Sequence, residues 1–223
     1  MLDKAFHIFS EAHILALFVT FIAMALVFIL RYHFNAARYA FGFVLLSSEV
    51  VEQLWKLSAG RWSLSADLPL HLSDLAVILA IVMTFTKNRA LFQFLWYAGI
   101  ASSFQAIVSP DLGPYTFPHP VFFTFFVSHA GVIMACLLFA AMGFRPSLRS
   151  LWITAMLVNL YAAAVFWINH LLNSNYLYIM KKPAGGSLLE VLGPWPWYLL
   201  SMEGVMLVSF FLLYLPFRSG RTL

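Results

Sequence analysis

The sequence predicts an all-α, polytopic membrane protein: a seven-transmembrane-helix bundle, one transmembrane domain over residues 1–223, with the N-terminus outside and the C-terminus cytoplasmic. Three observations predict it. Of 223 residues, 62% are hydrophobic and 10% charged, with mean hydropathy +0.86, whereas a water-soluble domain keeps roughly a quarter of its residues charged. The apolar residues gather into runs of about 20, the length that crosses a hydrocarbon core about 30 Å thick. The basic residues divide unequally between the two sets of connections.

The first run, Ala12–Leu30, follows Met1-Leu-Asp-Lys-Ala-Phe-His7. That stretch is not a basic signal-peptide head, and the run is too long for a cleaved signal, so it is expected to stay as a span. The second, Ala36–Leu54, ends before Lys56, and the third, Leu68–Phe85, before Lys87. The fourth is Ala90–Val108, the fifth His119–Met142 and the sixth Leu151–Leu172. The seventh, Trp195–Phe217, is entered through Gly193-Pro-Trp-Pro-Trp-Tyr198. Alternate connections carry Arg31, Arg38, Lys87, Arg89, Arg145, Arg149, Arg218 and Arg221, eight of the 13 basic residues; Lys4, Lys56, Arg61, Lys181 and Lys182 lie on the other side. The excess marks the cytoplasmic side. The longest connection, Asn173–Pro194, predicts a turn within Lys181–Ser187 and a short surface helix from Leu188 to Leu192. It reads either as a lid over an outward-facing cavity or as an aromatic belt at the interface.

Several functions are excluded or disfavoured. The pI near 9.3 comes from scattered basic residues beside apolar runs, so no nucleic-acid partner is expected. Cys136 is the single cysteine, which rules out an internal disulfide framework and cysteine-based zinc motifs. The last span has no lysine for a retinal Schiff base, and neither Gly-x-Ser-x-Gly nor His-Glu-x-x-His occurs. His71, Asp74, His129 and His170 have metal-binding chemistry, but without a histidine pair at i,i+4 no metal and no cofactor is expected.

Ionisable and other polar groups inside a span are costly and usually face the bundle interior, which makes them candidate site residues. They are Glu49 and Glu52 on the second span, His71, Ser73 and Asp74 on the third, His129 on the fifth, Asn169 and His170 on the sixth, and Glu203 on the seventh. Nearly all fall in the outer half, with His129 about 15 Å deep, Glu203 about 12 Å and Ser73 about 8 Å at 1.5 Å rise per residue. One outward-opening polar pocket is the expectation. Gln105, Ser128 and Asn159 read more simply as interhelical hydrogen-bonding groups. On the third span, at 100° per residue, His71 and Asp74 lie about 60° apart and share a face, while Ser73 lies about 160° from His71. A base for Ser73 must then come from another helix, and His129 is the histidine near the midplane. Glu52 and Lys56 are spaced to form an i,i+4 pair. Glu203 has no basic neighbour within a turn and is expected to partner His129.

Pro69-Leu-His-Leu-Ser-Asp74, Phe117-Pro-His119 leading to Ser128-His129, and Asn175–Pro183 running to Leu192-Gly-Pro-Trp-Pro-Trp-Tyr198 together resemble the bacterial YwaF family. That family is similar to eukaryotic transmembrane protein 164, a lipid acyltransferase that uses a cysteine and a histidine. It is more distantly similar to intramembrane fatty-ester hydrolases with a threonine and a histidine. The resemblance implies a helical bundle in the cell membrane and lipid acyl chemistry. It also makes His129 the family histidine. The family's Pro-Cys-His reads Pro69-Leu70-His71 here, so Ser73 is the nearest replacement nucleophile.

Two functions are therefore expected. The first is a lipid acyltransferase or ester hydrolase acting on an acyl-lipid substrate of the membrane, with Ser73 attacking, His129 moving the proton and the Phe122, Phe123, Phe125, Phe126 wall holding the chain. The alternative is a non-enzymatic lipid or small-molecule binder or transporter that uses the same pocket, with His71, Asp74, Glu49, Glu52, Asn169, His170 and Glu203 as ligand sites.

Overall fold

The computed structural model describes residues 6–183 and 188–218, and every regular element among them is helical. Helix α1 spans Glu11–Leu30, α2 Phe34–Ser58, α3 Leu72–Thr86 and α4 Arg89–Phe94. Helix α4 continues through a π turn, Leu95–Gly99, into α5, Ile100–Val108. Helix α6 spans Pro120–Ala141, α7 Leu148–Leu172 and α8 Trp197–Tyr214. Polar side chains set several starts. Ser10 accepts from the His13 N–H, Asn88 from those of Ala90 and Leu91, and Ser147 forms a capping box with Ser150. Lys87 (φ 56°) and Asn173 (φ 50°) end α3 and α7 in the left-handed conformation.

Two starts differ from the sequence expectation. Helix α3 begins at Leu72, not Leu68, because the proline at 69 biases Leu68 away from helical geometry, and the Leu70 N–H closes a tight turn onto the Leu68 carbonyl at 2.7 Å. Helix α8 begins at Trp197, after Pro194 and Pro196, not at Trp195. The surface helix of the long connection is a 3₁₀ turn, Leu188–Leu192. The turn expected just before it falls largely on residues 184–187, which lie outside the described residues, as do Lys4 and Arg221.

Five stretches are long and apolar enough to cross a membrane: Glu11–Ser58, Arg89–Val108, Pro120–Ala141, Leu148–Leu172 and Trp197–Phe217. Helix α3 is apolar but shorter, at 15 residues. The first stretch folds back on itself at the 3₁₀ turn Arg31–His33. His13 at the start of α1 packs on Phe126, and Trp55 near the end of α2 packs on His119. Phe34, the first residue of α2, meets Phe139 at the opposite end of α6. The remaining helices alternate in the same way. At one end His71 packs on Tyr176 and Tyr178, and the Tyr198 hydroxyl donates to the Tyr178 carbonyl, while Arg38 reaches Phe85, and Trp96 reaches Leu213, at the other, lower end.

Helix α6 is the axis of the bundle. Fifteen of its 22 residues are buried, against two, Tyr198 and Phe210, in α8. The outer faces carry exposed Phe18, Phe21, Leu160, Trp167 and Val208, as helices facing lipid do. Helices α2 and α3 approach closely at Gly42, where a Cβ would lie 2.5 Å from Thr84 Oγ1 and 2.9 Å from Phe85 Cε2. Gly42→Ala is therefore expected to cost about 1–3 kcal/mol through overpacking. Thermal unfolding in detergent checks it: a midpoint no lower than wild type would show that the two helices separate freely.

Candidate active site

The polar groups of α2 recur at 49, 52, 53 and 56, the spacing of one helical face. That face meets α3 and α6 beneath the loop before α3. Between them lies a cavity of about 60 Å³, lined by Glu49, Glu52, Gln53 and Lys56 from α2, and by residues 66–69 as its roof. Asp74 and Val77 of α3 and Phe125, Ser128 and His129 of α6 complete the wall. The pocket expected from the sequence thus gathers four of the named residues, Glu49, Glu52, Asp74 and His129.

Charge in this cavity is organised around Lys56. Its ammonium lies 2.9 Å from Glu52 Oε1, forming the expected i,i+4 pair, and 3.0 Å from Asp67 Oδ1 in the roof. Glu52 also accepts a hydrogen bond from Thr124 Oγ1 of α6 at 2.8 Å. Gln53 donates to Glu49 Oε1 and to the Asp67 carbonyl, and accepts from the Trp62 indole at 2.8 Å. Asp67 returns to cap the Ser63 N–H at 2.8 Å. Sequence reading missed Lys56, Gln53 and Asp67 as one framework. The i,i+4 spacing announced the first contact, but nothing local announced the return of Asp67.

His129 is 4% exposed and stacks on Phe125, with ring centroids 4.2 Å apart. Its Nδ1 lies 2.7 Å from the Phe125 carbonyl oxygen. A carbonyl can only accept, so Nδ1 carries the hydrogen, and in the neutral ring Nε2 holds a free lone pair. That Nε2 is buried with no hydrogen-bond partner among the described residues. A histidine with one nitrogen anchored and the other unpaired at a polar cavity is arranged to take a proton.

Ser73 is not among the side chains lining the cavity; it precedes Asp74 on α3, about 100° round the helix. His71 is the N-cap of α3 and lies outside the helix, so the shared helical face expected for His71 and Asp74 does not exist. Its ring packs on Tyr176 and Tyr178, and its Nδ1 accepts the Leu177 N–H at 3.3 Å. Burial pushes its pKa down to about 4. A neutral ring is what that acceptor role requires.

Asn169 is also committed to structure. Its amide takes the Tyr176 N–H at 2.8 Å and gives to the Tyr176 carbonyl at 2.9 Å. The Tyr176 hydroxyl in turn accepts the Leu68 N–H at 3.1 Å and donates to the Leu64 carbonyl at 2.8 Å, which pins the cavity roof. His170 packs edge-on against Phe166 and borders a separate, open cavity of about 430 Å³ with Ser65, Asn173 and Lys181. Glu203 accepts from Asn159 Nδ2 at 3.1 and 3.2 Å, in the seam between α7 and α8. The expected Glu203–His129 pair does not form, because similar depth does not make neighbours: α8 packs on α7 and the π turn, while His129 faces α2 and α3. Among the described residues, no three His, Cys, Asp or Glu side chains are placed to hold a metal ion.

No curated protein and no solved structure matches the chain. A family model, that of the TMEM164 family, matches residues 8–214. With its long apolar helices and a match over nearly its whole length, the chain is a multi-pass membrane protein that belongs to the TMEM164 family.

Proposed function

We propose that the protein crosses the cell membrane seven times, with the N-terminus outside, and performs acyl chemistry on a membrane lipid ester with His129 as general base. Support for seven crossings comes from the alternation of helix ends, the fold-back at Arg31–His33 and the short α3, which lies against α2 and α6. Arg31, Arg38, Lys87, Arg89, Arg145, Arg149 and Arg218 mark the lower end, which supports a cytoplasmic assignment for that end. The polar cavity then opens in the outer half.

The observation that carries the chemistry is the His129 ring in the cavity lining, with Nδ1–H on the Phe125 carbonyl and Nε2 buried and without a hydrogen-bond partner among the described residues. Deprotonating a hydroxyl that attacks an ester is the task such a nitrogen performs. The hydroxyl is either that of Ser73 or one that enters the cavity; His129 takes its proton in both cases. The likeness of Pro69–Asp74 and Phe117–His129 to the YwaF family supports lipid esters as the substrates.

His129→Gln keeps a donor for the Phe125 carbonyl but has no base. In vesicles of acyl-labelled phospholipid, turnover is expected to fall about 10²–10⁴-fold, the range for a positioned acid or base. Wild-type protein that neither releases nor transfers acyl groups, or a glutamine variant as active as wild type, would refute the proposal.

A further inference from the structure

Resting on the acyl chemistry proposed above, we infer that the acyl acceptor at His129 is water, so that the protein is an ester hydrolase that forms no acyl-enzyme. Two observations carry this.

The first is the absence of a free side-chain nucleophile in the cavity. Among the described residues, Ser128 is the one hydroxyl in the lining, and it donates to the Thr124 carbonyl at 2.7 Å. As the residue next to His129 on the same helix, it also projects about 100° away from the imidazole. Thr124 lies outside the lining and its hydroxyl donates to Glu52 at 2.8 Å. Ser73 is likewise outside the lining. Cys136, on the same helix, is buried in the hydrophobic core.

The second is polarity, in a cavity of about 60 Å³ that has room for ordered water. A water at Nε2 donates one hydrogen to the imidazole and finds acceptors for the other in the carboxylates of Asp74 and Glu49, which line the same space. Ordered water needs two to four polar partners, and this cavity supplies them.

The step balances without any further reactant. The water oxygen bonds to the acyl carbonyl carbon as its proton moves to His129 Nε2. The tetrahedral intermediate then breaks its bond to the lipid's ester oxygen, and Nε2 returns the proton to that oxygen. A fatty acid and a lipid alcohol leave. Nδ1–H stays on the Phe125 carbonyl throughout, and the surrounding carboxylates favour the transient imidazolium by charge.

The test uses the full chain in phosphatidylcholine and phosphatidylglycerol vesicles with radiolabelled acyl groups, prepared in ¹⁸O-water with and without added lysophospholipid. The expected result is labelled free fatty acid carrying one ¹⁸O, with no acyl transfer to the lysophospholipid. Rapid-quench mass spectrometry of the wild-type protein is expected to find no acylated peptide. A fluorophosphonate ester is expected to leave Ser73 and Ser128 unmodified. An acyl adduct on the Ser73 peptide that vanishes in Ser73→Ala, or lysophospholipid as the main acceptor, would overturn the inference while leaving the acyl chemistry standing. Neither release nor transfer would remove both.

Discussion

Lys56→Met is expected to destabilise the protein by about 3–5 kcal/mol, the cost of removing one partner from a buried ion pair. The ammonium sits 2.9 Å from Glu52 and 3.0 Å from Asp67, and the three side chains keep only 16%, 22% and 10% of their surface exposed. Without it, two carboxylates face each other across a cavity that already holds Glu49 and Asp74. The roof also loses its tie to α2. At about 2–4 °C per kcal/mol for a chain of this size, the melting midpoint in detergent should drop by at least about 6 °C. Neutralising the carboxylates in Lys56→Met/Glu52→Gln/Asp67→Asn should recover part of the loss. A single variant that melts within 2 °C of wild type would mean that the three groups do not act as one network.

Arg38→Met should cost a similar amount, about 3–5 kcal/mol, at the other end of the bundle, because hydrogen bonds from charged donors contribute about 1.5–3 kcal/mol each. Arg38 is buried, and one guanidinium nitrogen donates to the Thr84 carbonyl at 2.6 Å and the Phe85 carbonyl at 3.0 Å. These are among the last carbonyls of α3, which have no partner within the helix. The guanidinium also stacks on Tyr39, 3.8 Å from its ring centroid, and its Nε donates to Asn35. Lysine has neither the fork nor the planar face, so Arg38→Lys should recover less than half of the loss. Unfolding midpoints of the three proteins in one detergent decide the matter; equal midpoints for arginine and methionine would mean that water satisfies those carbonyls as well as the guanidinium does.

Hydropathy locates the apolar runs well because the physics behind it is local. Apolar residues in sequence are apolar residues in space, and the starts of α1, α2 and α4 fall close to the expected boundaries. The start of α3 is misread for a different reason. Leu68-Pro-Leu70 is apolar enough to extend the run, yet Pro69 and the turn behind it make this segment the roof of a cavity and His71 a cap. The π turn Leu95–Gly99 has no marker in composition at all. At the site, depth is legible and direction is not. Counting residues puts His129 and Glu203 at similar levels, but a bundle has a circumference, and only packing tells that Glu203 meets Asn159 while His129 meets the face of Glu49 and Glu52. Asn169 and His71 look like ligand groups because buried polarity is rare in a span. Their partners turn out to be the backbone of residues 176 and 177, which nothing local in the sequence connects to them.

The Tyr176 hydroxyl gives this arrangement a temporal order. Its two bonds to the cavity roof join residues separated by 108 and 112 positions in the chain. During synthesis, α1, α2 and α3 leave the ribosome with the roof segment between the last two, and Lys56 can find Asp67 at once. Tyr176 emerges only after α7. At about 5–20 residues per second, the roof waits roughly 5–20 s for its second fastening. Throughout that interval the carboxylates of the cavity lie in a nascent chain whose central helix, α6, arrives roughly midway. The Lys56, Glu52 and Asp67 network needs only residues that precede α3, so the roof can be tied to α2 before the rest of the protein is made.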